Sequence, residues 1–135
     1  MKIRAALIAA TLALLTTGQV HAEDQAKKNA KVCQDISALD SALSNFKSLN
    51  SNSTIKEAKM AEDRVSKAVD NLGKSAKEAR PEQYKALKEA HKDLHKAVDD
   101  APKDATLGQI ETNISTSRER VQTAYNDLAS SVTCP

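Results

Sequence analysis

The sequence predicts an all-α protein: an antiparallel up-down-up-down four-helix bundle that remains after an N-terminal export signal is removed, tied by one disulfide. Three observations predict it. Glycine and proline are scarce, at three each, while alanine, lysine, aspartate, glutamate and leucine abound, which suits helices and deprives strands of the residues they favour. Apolar residues recur at steps of three and four, the period of helices that bury one side, as in coiled coils. The chain has two cysteines, Cys33 and Cys134, near opposite ends of the segment beyond the signal.

The signal itself has three parts in order. Lys2 and Arg4 are its positive start, and Ala5–Leu15 is an uncharged apolar run of roughly a dozen residues. Thr16, Thr17 and Gly18 then loosen the helix, and Val20 and Ala22 stand at the small-residue positions of a cut after Ala22. A membrane-spanning helix needs about 20 apolar residues, and this run is shorter. From Glu23 the chain turns polar, and no second apolar span follows. No cysteine sits where a lipid-anchoring signal would need one. Residues 1–22 are therefore expected to be a cleaved signal peptide and residues 23–135 a single domain, delivered to the periplasm or secreted.

Cutting the signal changes the charge. The formal +2 of the whole chain comes from Lys2 and Arg4; without them, 18 basic residues face 18 acidic ones. A neutral chain lacks the basic excess that displaces counterions from phosphates, so no nucleic acid is expected as a partner. The aromatics are Phe46, Tyr84 and Tyr125, too few to stack bases. Nor is stable membrane insertion expected of the mature part.

The first helix carries the stripe Val32, Ile36, Leu39, Leu43 and Phe46. It should end in the polar run Ser48–Ser53, whose side chains bond their own backbone and favour turns. The second opens on Thr54 with Glu57 three residues on, a capping box, and its stripe is Ile55, Ala58, Ala61, Val65, Ala68, Val69 and Leu72. The third carries Tyr84, Leu87, His91, Leu94, Val98 and Ala101 and stops at Pro102. The fourth starts from Asp104 or Thr106 and carries Leu107, Ile110, Ile114, Ser117, Val121, Ala124 and Leu128. Short connections between four such helices favour antiparallel neighbours.

The central turn has two candidates. The residue before Pro81 resists helical backbone, whereas Gly73 can take a left-handed helix-ending conformation, with Ser75 and Glu78 forming a new capping box. Export to an oxidising compartment makes a structural Cys33–Cys134 bridge the expected state, since redox-active pairs sit close together in sequence. Counting levels with outer turns near residues 51–52 and 103, a central turn at Pro81 leaves Cys134 about 28 Å along the axis from Cys33 at 1.5 Å per residue. A disulfide allows roughly 7 Å between Cα atoms. A turn near Gly73 cuts the gap to about 9 Å, within reach of an unwound Ser130–Cys134 tail. The count therefore favours Gly73, with Pro81 early in the third helix, where it can kink it.

His91 and His95 lie four apart, with Asp99 one turn on, a spacing that can offer two imidazoles and a carboxylate to one metal ion. The alternative is that His91 is a stripe residue hydrogen-bonded across the bundle, to Ser115 or Ser117, and His95 a flanking surface residue. The Glu of a zinc-protease helix motif is missing. A Met–His haem site is disfavoured because Met60 is off the stripe. Asn113, Thr116 and Ser117 make the middle of the fourth helix polar, as a bonded core layer or a partner face. Asn52 and Asn113 begin short glycosylation-like triplets, to which no modification is assigned. The carboxylates look like surface charges paired at helical spacing, as with Glu78, Arg80 and Glu82, and no nucleophile elbow or phosphate loop is present. These residues point away from catalysis and imply no cofactor. The expected role is binding to a protein partner in the exported compartment, as an accessory, inhibitor or chaperone-like factor. A small metal carrier using His91 and His95 is the other reading.

Overall fold

The computed structural model describes residues 19–135, with side chains from residue 23. The apolar run of the expected signal lies outside the described residues, and the expected cut after Ala22 falls in the first turn of the first helix. The helices are α1 (Gln19–Lys47), α2 (Ile55–Ala76), α3 (Pro81–Asp99) and α4 (Glu111–Ser130), with a 3-10 turn at Leu107–Gln109 before α4. Among the described residues none is in a named strand, and no helix is long and apolar enough to cross a membrane. The all-α four-helix arrangement is the one the sequence predicts.

The expected stripes are buried apart from His91, Ala101, Ile110 and Ser117, which are half-buried. Val32, Leu39, Leu43 and Phe46 of α1, Ile55, Ala58, Val65, Val69 and Leu72 of α2, Leu87, Leu94 and Val98 of α3, and Ile114, Val121 and Leu128 of α4 join in one buried core. Burying each leucine- or phenylalanine-sized side chain is worth about 1.5–3 kcal/mol. From Glu23 to Lys31 the side chains of α1 are exposed. Thr54 caps α2 as expected: its hydroxyl accepts from the Glu57 amide at 3.2 Å, and the Glu57 carboxylate accepts from the Thr54 amide at 2.7 Å. Thr106 repeats the device on the 3-10 turn, its amide donating to the Gln109 side chain at 2.9 Å. The two capping threonines sit side by side in an isolated antiparallel bridge, which joins the two outer loops at one end of the bundle. Leu107 and Gly108 amides donate to the Ser53 and Ser51 carbonyls across that joint, both at 2.9 Å.

The packing is uneven. α1 lies closest to α2 and α3 closest to α4, so the molecule is two tight hairpins. α2 against α3 is the looser seam that joins them, and α1 and α4 barely touch except through long side chains and the tail.

The central turn departs from the expectation. α2 runs through Gly73 to Ala76, no described residue has a positive φ, and α3 begins on Pro81 itself, at the first helical position. There proline lacks only an amide that would have no intrahelical partner, so it starts the helix instead of kinking it. Ser75 caps nothing and instead donates to Asp35.

The disulfide forms all the same: Cys33 and Cys134 are bonded, with Cα atoms 5.6 Å apart. The register explains why. Ser75 meets Asp35, so α1 and α2 pair about Ile55; Asp93 meets Arg120, so α3 and α4 pair about residues 106 and 107. Both outer loops first continue the direction of the helix before them and only then fold back. Their pairing centres therefore lie beyond the loop midpoints, and a displaced centre is doubled at the opposite helix. Gly73 packs on Tyr84, centring α2 and α3 on residues 78 and 79. Followed through these centres, Cys134 is level with residue 32, beside Cys33.

Candidate functional site

Glu62 is the most deeply buried charged residue described, with 3% of its side chain exposed. It lies on the face of α2 that meets α3, between Ala58 and Val65. A carboxylate in such a place costs several kcal/mol unless charge or hydrogen bonds compensate. The compensation comes from α3. His91 Nε2 lies 2.7 Å from Glu62 Oε1, and His95 Nδ1 lies 2.9 Å from Oε2. The four-residue spacing puts both imidazoles on one face of α3, ring centres 6.3 Å apart, and each takes one carboxylate oxygen.

An ionised carboxylate only accepts, so the nitrogen facing it must carry a proton on each ring. The proton is thus assigned to Nε2 of His91 and Nδ1 of His95 from the bonding pattern. Burial pushes the Glu62 carboxyl up, but the hydrogen bonds and nearness of His91 and His95 outweigh it and hold it below its ordinary value. The His95 imidazole is raised by the same bond and by the Glu62 charge, with smaller help from Asp99 and Asp63.

The structure thus joins His91 and His95 but gives them a different partner from the expected ones. Neither Ser115 nor Ser117 reaches them; these hydroxyls donate to the Thr112 and Asn113 carbonyls of their own helix. Asp99 turns away to Lys59 on α2, at 3.0 Å. Among the described residues no group of three His, Cys, Asp or Glu side chains is arranged to hold a metal ion. Met60 is the exposed large apolar side chain of α2, facing solvent.

Two of these groups were not anticipated. Glu62 falls in the series 55, 58, 62, 65, 69, 72, the three-four alternation of a helix seam. It sits at the α2 position that faces His91, so a polar pair across the seam was written in the spacing. Asp35, beside Ile36, is buried and accepts from Ser75 at 2.7 Å and from Lys31 at 2.7 Å. The expected surface pairing around Glu78 does not form: Arg80 donates to the Ser131 carbonyl at 2.8 Å and to its neighbour Ala79. That bond ties the α2–α3 turn to the end of α4.

The polar middle of α4 is not a bonded core layer. Ser115, Thr116 and Ser117 all bond back to carbonyls three or four residues earlier, which leaves their face open to solvent. Alongside runs an open furrow between α3 and α4 of about 550 Å³. Ala86, Ala90 and Ala124 form its floor and Glu89, Asp93, Glu119 and Asp127 its rim, with Arg120 paired to Asp93 at 3.3 Å. No protein family, characterised protein or solved structure matches this chain.

Proposed function

We propose that this chain is an exported helical bundle that works by binding another protein, without catalysis, in the periplasm or outside the cell. The observation that supports it is the α3–α4 face. Its small alanine floor lets a chain approach closely, and its rim offers charges for orientation. The Thr116 hydroxyl that lines this face already donates to the Thr112 carbonyl of its own helix, so it adds no cost when a partner covers it. A disulfide that joins both ends of the domain fits an oxidising compartment. The metal-carrier reading gains no support from the cluster on α3, because Asp99, the expected third ligand, pairs with Lys59 and Glu62 takes one nitrogen of each imidazole.

The test is a photo-crosslinking residue placed at Thr116 in the furrow, with Lys67 on the exposed face of α2 as the control. Crosslinking is done in intact cells that produce the full chain. A discrete adduct from Thr116 and none from Lys67 is expected. No adduct from Thr116, or the same adducts from both sites, would remove this face as the binding surface. A mature N-terminus at Glu23, read by intact mass, tests the export step separately.

A further inference from the structure

We propose that Glu62, His91 and His95 form a proton-operated clamp between the two helical hairpins, which tightens as the pH falls through the imidazole range. The inference goes beyond partner binding and does not depend on it. It rests on placement: the carboxylate comes from α2, both imidazoles come from α3, and α2–α3 is the looser seam between two well-packed halves.

The charge balance gives the direction. With both rings neutral, each still donates one N–H to Glu62, but the buried cluster carries a full negative charge. When one ring takes a proton the cluster becomes neutral and keeps the same two hydrogen bonds, now charge-assisted. Around His95 the neighbouring carboxylates favour that proton. Asp63 on α2 and Asp99 on α3 draw the charge toward His95, while Lys59 is spent on Asp99. Beside His91 on the outer side of the seam stand Asp70 of α2 and Lys85, Lys88, Glu89 and Lys92 of α3, a mixed set. From α1 and α4, no hydrogen bond or ion pair reaches the cluster among the described residues.

A raised imidazole adds stability that is fully present below its unfolded value of 6.5 and is lost as the pH rises through the folded value. The lowered Glu62 carboxyl adds stability that is present above 4.5 and is lost as the pH falls through its folded value. The clamp is therefore tightest between these limits. Loss above the window loosens the joint between the hairpins.

The experiment uses the oxidised mature chain, whose histidines are His91 and His95 alone. Imidazole proton signals are followed by NMR from about pH 5 to about pH 8.5, a range that spans histidine titration. The His95 signal, assigned with His91→Gln, is expected to titrate above 6.5, and a midpoint at or below 6.5 overturns the clamp. Thermal melts at about pH 5.5 and about pH 8 give the second readout. The wild type is expected to melt several degrees higher at the lower pH, and Glu62→Gln is expected to lose or reverse that difference. A wild type with no such difference, or a Glu62→Gln variant that keeps it, also overturns the proposal. If Glu62→Gln does not fold, the wild-type titration still decides.

Discussion

The ring of Tyr84 fills the space where a side chain at Gly73 would begin. A Cβ built on Gly73 would lie 2.7 Å from the Tyr84 ring carbon that bears the hydroxyl, closer than side-chain carbons pack. Gly73 is helical, so its role is close approach of α2 to α3 and not backbone freedom. Two effects compete in Gly73→Ala. Alanine raises helix stability by about 1 kcal/mol, while overpacking a buried ring costs about 1–3 kcal/mol. The clash is with the rigid end of a buried ring, so a net loss is expected in urea unfolding. A gain would show that Tyr84 swings aside without penalty.

Asp35 gives a second test, because its two partners are unequal. Lys31 is largely exposed and Ser75 half-buried, while the Asp35 side chain is 7% exposed. Removing the exposed lysine removes a pair worth about 0–1 kcal/mol. Ser75→Ala strips a buried acceptor of its hydroxyl donor, at a cost of about 1–3 kcal/mol. Ser75→Ala should therefore lower the urea midpoint more than Lys31→Ala does. The reverse order would mean that water replaces the hydroxyl.

The disulfide closes a loop of sequence separation 101. In the chain-entropy account a loop of about 100 residues adds about 4–5 kcal/mol, mostly by restricting the unfolded chain. Cys33→Ser with Cys134→Ser should keep the helical circular dichroism at low temperature and melt well below the oxidised protein. Equal melting of the two forms would contradict a structural bridge. An oxidised wild type lighter than its reduced form by two hydrogens would confirm that the bond is made.

Thr54 serves two joints at once, capping α2 and standing beside Thr106. Thr54→Ala should cost about 1 kcal/mol for the cap. The backbone and hydroxyl bonds from Thr54 hold the Glu57 carboxyl below its ordinary value. The stability from that pair is present above 4.5 and fades as the pH falls through the folded value, so the Thr54→Ala deficit should shrink under acid. A deficit unchanged down to about pH 3 would assign the loss to the bond that the Thr54 hydroxyl accepts from the Glu57 amide, which does not titrate.

Much of the architecture was legible because it depends on local rules. The apolar period named Leu39, Val65, Leu94, Val121 and their neighbours as core, and the Thr54–Glu57 box marked the start of α2. Pairs across the seam were harder to see. His91 stood out as a polar residue on a stripe, yet its partner Glu62 was hidden because a carboxylate on a lysine-rich helix resembles a surface charge. The Ser115 and Ser117 hydroxyls could be paired inward or backward along their own helix, and spacing alone does not choose.

By itself the sequence determined the helical class, the stripes, the first cap and the pairing of Cys33 with Cys134. Each follows from period, side-chain chemistry or the count of cysteines. Tertiary structure alone decided that α2 passes through Gly73, that Pro81 opens α3, and that Glu62 faces both histidines. The physical reason is register. The outer loops run on along the axis before they fold back, and each residue of that advance moves the opposite helix by two. No local pattern records that distance, and the level of Cys134, the ring over Gly73 and the clamp across the seam all depend on it.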